Sequence, residues 1–301
     1  MDYFGIVKRA YYITLKNKFL WIFGILAGGY GGFKGFSFNA PTYQTGNADW
    51  SKFTDSINST DFSNFWLNYS GIILTIIVIF LIFAFICFAL NVISQGALVG
   101  SVAKLDKQEK ANFRVGFGIG WHNFWRILGV AITYLLMILI SLIILVVPVA
   151  VAIMAEGFIF AIVWGILIFF LCLAFWILIA LISPFSLRVI VLKKLGVFES
   201  IRDSLHFFRD HWLNIIVMYL LLLAIGIGFG IALALALLIV GGILLALGFG
   251  VWLASPIVAI IYGIIMGVAV FVAMVVLSGA FNTFYSGALT ITYQKLAKKT
   301  A

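Results

Sequence analysis

The 301-residue chain is 64% hydrophobic and 17% aromatic, and only 10% of its residues are charged. This composition leaves too much apolar surface for one water-soluble core, which excludes an ordinary globular protein and predicts a polytopic membrane protein. The formal net charge of +9 does not indicate nucleic acid as a partner, because the basic residues lie at the ends of apolar segments, where they favour membrane lipids, including anionic ones.

Six apolar segments predict an all-α bundle of about six transmembrane helices. They cover residues 19–33, 71–90, 127–149, 157–182, 213–238 and 257–281. The first has 15 residues, fewer than the roughly 17 to 25 that a span needs, so a cleaved signal peptide is the alternative to a retained helix. Residues 241–252 are apolar but short and rich in glycine, which favours an outer hairpin or a re-entrant segment before the sixth span.

Amphipathic segments precede three of the spans and predict elbow helices that lie in the membrane interface. These segments are residues 1–18, 113–126 and 196–212. The first and third repeat one helical spacing of apolar residues, as Phe4, Val7, Tyr11 and Thr14 and as Phe198, Ile201, Leu205 and Phe208. The long polar stretch 34–70 also contains many aromatic residues and predicts a cap on the outer surface.

An internal repeat organises the chain. The sequence of residues 91–105 is repeated without a gap at residues 282–296. Six positions are identical in the two copies: Asn91, Gly96, Ala97, Leu98, Lys104 and Leu105 align in this order with Asn282, Gly287, Ala288, Leu289, Lys295 and Leu296. A shift of ninety residues aligns Lys104 with Lys194 and gives a weaker third copy, in which Pro184 and Arg188 replace the asparagine and the Gly-Ala-Leu signal. We therefore predict a single membrane domain over 1–301, made of three related two-span units at about 1–105, 111–195 and 196–299, with the outer loop 34–70 in the first.

The positions of the positive charges predict the orientation of this domain. With six spans, 17 of the 19 Lys and Arg residues lie on the side of both termini, and only Lys34 and Lys52 lie opposite. The positive-inside rule then places both termini in the cytoplasm of a multi-pass protein of the inner or plasma membrane. No charge falls near the middle of a span, and Arg188 is expected at the cytoplasmic boundary, which disfavours a proton-coupled transporter.

The sequence contains no recognisable catalytic motif, and we assign no catalytic residue, no metal site and no cofactor. His122, His206 and His211 lie in or beside aromatic interfacial segments at spacings that do not favour a shared metal. Polar residues within the spans predict hydrogen bonds between helices or, alternatively, a polar cavity open to the cytoplasm. The candidate cavity residues are Asn91, Gln95, Asn282 and Thr283.

Basic residues beside the spans form the second candidate site. They either orient the helices or form a collar that binds anionic headgroups, and the two interpretations have equal support. The collar residues are Lys16, Lys18, Arg126, Arg202 and Arg209.

Three stretches that combine an elbow with a span, KNKFLWIFGILAG, GVFESIRDSLHFFRDHWLNIIVMYLLLL and FNTFYSGALTITYQKL, resemble a group of uncharacterised bacterial six-helix membrane proteins. That group is related to the membrane domain of glycerophosphodiester phosphodiesterases. The resemblance implies a six-helix fold without the soluble catalytic barrel of those enzymes, and it identifies no functional residue in this chain.

These observations predict a non-enzymatic module that binds lipid or organises the membrane. A transporter or lipid-translocating permease is the alternative, which the internal repeat supports. A membrane-embedded lipid-modifying enzyme is the weaker alternative, since only boundary residues such as His122 and Asp210 could supply acid-base chemistry. A protein partner and a homo-oligomer both stay open.

Overall fold

The structure is a computed structural model that describes residues 1–28, 60–154 and 158–300. The elements within these ranges are eight α-helices. In chain order they are α1 (Tyr3–Lys16), α2 (Phe19–Ala27), α3 (Thr60–Asp106), α4 (Phe113–His122), α5 (Phe124–Met154), α6 (Phe158–Lys193), α7 (Val197–Ala254) and α8 (Pro256–Thr300).

Five of these helices, α3 and α5 to α8, are long and apolar enough to cross a membrane. They contain the second to sixth predicted spans, and the protein is a membrane protein that is all-helical over residues 1–28, 60–154 and 158–300, apart from its turns. Helix α2 has nine residues and is about 14 Å long, well short of a hydrocarbon core of about 30 Å. The rest of the predicted first span, residues 29–33, lies outside the described residues, as does most of the loop 34–70. The count of six spans and the division into three units stay predictions.

The hairpin or re-entrant segment expected at residues 241–252 is wrong. Helix α7 continues through Gly241 and Gly242 to Ala254, and the chain turns only at Ser255, before the proline that begins α8. Glycine weakens helices in water, but within lipid the helix is the conformation in which a single segment satisfies its own backbone hydrogen bonds. The interruption in α7 lies instead at His211, where φ is −126° and ψ is 20°.

One end of the bundle gathers the helix ends that carry the basic residues, and we call it the basic end. It includes Arg9, Lys104, Arg126, Lys194 and Lys295. Ion pairs of 3.2 Å from the Arg9 side chain to Asp106 and of 2.8 Å from Lys193 to Asp203 join α1 to α3 and α6 to α7. The Arg126 guanidinium donates to the Lys194 carbonyl at 2.9 Å and so joins the start of α5 to the end of α6.

The main core lies at this end, where the short helices α1 and α2 pack against α3 and α8. Its largest fully buried side chains include Ile6, Leu20 and Phe23. Helix α2 meets α8 at two glycines: a Cβ at Gly24 would lie 2.1 Å from the carbonyl oxygen of Gly279. Two side chains at this crossing would overlap, so the pair of glycines fixes how deeply α2 inserts.

Only part of the apolar face that the sequence assigned to each elbow is buried. Helix α1 buries Thr14 of that face together with Ile6, Ala10 and Ile13, while Phe4 and Tyr11 are exposed. At the start of α7 the fully buried residues are Ser200 and Ser204, and Phe198 is exposed. The aromatic side chains that begin each predicted face therefore point away from the bundle.

Beyond the basic end the long helices separate. Helix α3 is exposed almost continuously over residues 71–88, and large apolar side chains of α5 and α6 are exposed along residues 135–154 and 158–178. In a membrane these surfaces contact hydrocarbon, because lipid tails are as apolar as the side chains and supply no force that brings the helices together.

Candidate functional site

A cavity of about 380 Å³ lies where the long helices begin to separate, between α3, α5, α6 and α8 and beside the last residue of α2. Each of the four long helices runs from this cavity to the basic end in one direction and to its exposed apolar segment in the other. The wall is apolar at residues such as Phe88, Val92, Ile127 and Val130. Its polar residues are Asn91, Gln95, Tyr134, Ser183, Arg188, Asn282, Tyr285 and Ser286.

Arg188 is the charged residue of this wall, and it is buried, with 3% of its surface exposed. One terminal nitrogen of the guanidinium donates to the Pro184 carbonyl, and the other donates to the Ser286 carbonyl at 3.0 Å. The Nε atom is buried and has no hydrogen-bond partner in the described part of the chain. No carboxylate of the described residues pairs with this guanidinium. Arg188 therefore keeps its full positive charge inside the bundle.

The two asparagines of the internal repeat hold the end of α2. The Asn91 amide donates to the Leu26 carbonyl at 2.7 Å, and the Asn282 amide donates to the Gly24 carbonyl at 2.9 Å. The last four carbonyls of a helix have no partner within that helix. Asn91 thus supplies from α3 a donor at the end of α2, and Asn282 adds from α8 a second donor to the Gly24 carbonyl, which also accepts the backbone N–H of Gly28.

Three of the four predicted cavity residues, Asn91, Gln95 and Asn282, line the same cavity. The Gln95 amide donates to Asn91 Oδ1 at 2.8 Å, which fixes the asparagine while it bonds α2. Thr283 is fully buried away from the cavity wall and donates to the Leu20 and Gly279 carbonyls. Successive residues of a helix point about 100° apart, so Asn282 reaches the cavity and Thr283 does not.

The five predicted collar residues are exposed and lie at separate places on the basic end. Lys16 lies over the Tyr12 ring, 5.5 Å from its centroid, and Arg126 bonds the end of α6. Lys18 precedes α2, while Arg202 and Arg209 follow the first turns of α7. The structure brings no two of them into a common contact among the residues it describes.

The histidines do not form a shared site. His206 and His122 are exposed, and the His211 ring stacks on Phe207 with the centroids 5.1 Å apart. Over residues 1–28, 60–154 and 158–300, no group of three His, Cys, Asp or Glu side chains is placed to hold a metal ion.

Sequence reasoning placed Arg188 at the membrane boundary and did not include it among the candidate site residues. The internal repeat contained the signal. The ninety-residue shift that aligns Lys104 with Lys194 also aligns Arg188 with Leu98, and the ungapped repeat aligns Leu98 with Leu289. Both leucines are buried, with 1% of their surfaces exposed, and both line this cavity. An arginine at a position that is a buried leucine in two copies would have been expected inside the bundle.

Comparisons with known proteins place the chain in a family without assigning an activity. A search of curated proteins found no match, and neither did a search of solved structures. Nothing in these comparisons links the chain to the membrane domain of glycerophosphodiester phosphodiesterases, so that resemblance stays a prediction. A family model matches residues 18–293, from the start of α2 through most of α8, and the chain therefore belongs to DUF7544, a family of unknown function.

Proposed function

We propose that this membrane protein binds an anionic lipid, with the headgroup at Arg188 and the acyl chains between the exposed segments of the long helices. The observation that carries the proposal is the buried guanidinium with a free Nε in a cavity wall. A charge inside a membrane bundle is unfavourable by several kcal/mol unless it is paired, and such residues usually mark a ligand site. A phosphate or carboxylate group would supply the missing counter-charge.

The surroundings of Arg188 favour an amphiphile over a small soluble anion. Asn91, Gln95 and Asn282 add polar groups near the charge, and Phe88 and Val92 make the adjoining wall apolar. Arg188 lies five residues from the end of α6, about 8 Å along its axis, which is close to the depth of a lipid headgroup region. The exposed residues 71–88 of α3 then continue in the direction in which acyl chains would run.

The orientation that the charge distribution favours puts the basic end in the cytoplasm. In that orientation the proposed site takes its lipid from the cytoplasmic leaflet of the inner or plasma membrane. Anionic lipids are enriched in cytoplasmic leaflets, which agrees with the sign of Arg188.

Native mass spectrometry of the full chain tests the proposal, with phosphatidylglycerol and phosphatidylcholine as the added lipids. We expect one bound phosphatidylglycerol at concentrations where phosphatidylcholine does not bind. Arg188→Leu should weaken phosphatidylglycerol binding about tenfold to hundredfold, because a hydrogen bond to a charged group contributes about 1.5–3 kcal/mol. Leucine is the residue at the aligned positions 98 and 289, so this variant should fold.

Two control variants separate the cavity from the collar. Arg126→Leu makes the same substitution at an exposed arginine. It should change the affinity for phosphatidylglycerol by less than about twofold, as expected for an exposed charge. A triple variant of Arg126, Arg202 and Arg209 to Gln neutralises much of the collar. Lipid that survives Arg188→Leu but is lost in the triple variant would refute the cavity site and favour the collar.

A lipid-translocating permease is the second candidate function, and the short helix α2 is the observation that favours it. Interrupted helices whose ends lie at a binding site inside the bundle are typical of transporters. Helix α2 ends at Ala27, on the wall of the cavity, with its carbonyls bonded by Asn91 and Asn282. Movement of fluorescent phosphatidylglycerol between the leaflets of proteoliposomes, lost in Arg188→Leu, would favour the permease over simple binding.

A further inference from the structure

A second cavity, of about 480 Å³, lies at the basic end between the last turns of α3 and α6 and the helix α4. No residue lines both this cavity and the one that contains Arg188. Its basic residues are Lys104, Lys107 and Lys194, with His122 beside them. Among the described residues no ion pair joins any of these lysines to a carboxylate. Three lysines therefore line one concave surface, and none of them forms an ion pair with a described carboxylate.

Asn123 provides an independent sign that this cavity takes a ligand. Its side chain lines the cavity, has 3% of its surface exposed, and donates through Nδ2 to the Ile119 carbonyl at 2.9 Å. The amide oxygen of Asn123 is buried and has no partner in the described ranges. Buried polar atoms of native proteins are nearly always hydrogen-bonded, so this oxygen marks the place of a donor that belongs to another molecule.

Glu109 lines the same cavity and is the carboxylate in its wall. The site thus presents three cations for a phosphate group and two acceptors, the Glu109 carboxylate and Asn123 Oδ1, for a hydrogen-bond donor. We propose that the cavity binds a phosphate ester that carries an ammonium group, with the phosphate on the lysines and the ammonium between Glu109 and Asn123. Such a group is found free in solution as phosphoethanolamine and in membranes as a lipid headgroup.

Isothermal titration of the full chain in detergent, with phosphoethanolamine as the ligand, tests this site. Replacing Lys104, Lys107 and Lys194 together by Gln should lower the affinity about tenfold, since three exposed charge pairs each contribute a modest amount. The matched control replaces the exposed Lys8, Lys295 and Lys298 by Gln, which changes the net charge equally outside the cavity. An equal loss in both triple variants would overturn the proposal, because only the overall charge would then matter.

Ethyl phosphate serves as the second ligand, because it has the phosphate and carbon chain of phosphoethanolamine and lacks the ammonium. The wild-type protein should bind it several-fold more weakly, and Glu109→Gln should remove that difference. A wild-type protein that binds the two ligands equally would overturn the role of Glu109 and Asn123. Tighter binding of dihexanoylphosphatidylethanolamine than of phosphoethanolamine would identify the source as a lipid, and equal binding would identify a soluble ester. The result is independent of the Arg188 site, since each cavity is tested with its own ligand and its own variants.

Discussion

The repeated asparagines should contribute unequally to stability although they occupy aligned positions. Asn91 donates to the Leu26 carbonyl, whose intrahelical donor would lie beyond the end of α2 at Ala27. Asn282 donates to the Gly24 carbonyl, which also accepts the backbone N–H of Gly28 at the helix cap. Among the described residues Asn91 supplies the donor for the Leu26 carbonyl, so its removal leaves that carbonyl without a described donor, whereas removal of Asn282 leaves a carbonyl that keeps a hydrogen bond.

We expect Asn91→Leu to lower the free energy of unfolding by about 1–3 kcal/mol, the cost of leaving a buried acceptor unsatisfied. Asn282→Leu should cost about 0.6 kcal/mol, the average for a side-chain hydrogen bond between membrane helices. The two substitutions change volume and polarity identically, so those contributions cancel in the comparison. We therefore expect the Asn282 variant to have a free energy of unfolding about 1 kcal/mol higher than that of the Asn91 variant.

Reversible unfolding in mixed detergent micelles, followed by tryptophan fluorescence, measures this difference. Trp21 reports on α2, because its ring N–H donates to the Thr14 carbonyl at 2.8 Å. Gln95→Leu is the control for the Asn91–Gln95 hydrogen bond, which Asn91→Leu also removes. A loss in the Asn282 variant that equals or exceeds the loss in the Asn91 variant, after subtraction of the Gln95 effect, would refute the reasoning.

Two further substitutions test the packing by the same unfolding measurement. Gly24→Ala should lower the free energy of unfolding by about 2 kcal/mol, because its Cβ would lie 2.1 Å from the Gly279 carbonyl oxygen. Gly230→Ala is the control, since its Cβ enters open space and should change that free energy by less than about 1 kcal/mol. Equal effects of the two substitutions would contradict the close crossing of α2 and α8. Ser186→Ala removes the hydroxyl that bonds both the Tyr134 hydroxyl at 2.7 Å and a second buried serine at 2.6 Å, and a loss below about 0.5 kcal/mol would show that this buried network contributes little.

The helical class and the long helices could be predicted because apolar runs in this chain have the length of a membrane. The residues at which these helices end could not be predicted, since the signals that end a helix in water act differently in lipid. Gly241 and Gly242 predicted a break and lie inside α7, whereas Ser255 followed by Pro256 ends the helix. Proline does not fix the bounds by itself, because Pro148 and Pro184 lie inside α5 and α6, whereas the turn at Ser255 and Pro256 does end α7.

The predicted cavity was based on polar residues within the apolar runs. Asn91, Gln95 and Asn282 are polar residues in apolar runs, and such residues must find partners inside the bundle. Their positions could be derived from the sequence, but their partners could not. The acceptors are backbone carbonyls of α2, and no residue type in that helix indicates that its end lies against α3 and α8. Arg188 was not among the candidate site residues because distance along one helix does not show burial, which depends on the neighbouring helices.

Arg188 differs in charge from the two leucines with which it aligns in the sequence. Leu98, Arg188 and Leu289 line one cavity, and the two leucines supply apolar side chains to its wall. An arginine introduced only for structure would be expected to meet a carboxylate, since a buried charge without one is strongly unfavourable. Arg188 bonds only carbonyl and hydroxyl oxygens among the described residues, and these orient a guanidinium without neutralising it. The charge is therefore held in place and left uncompensated, which is the arrangement that a bound anion requires.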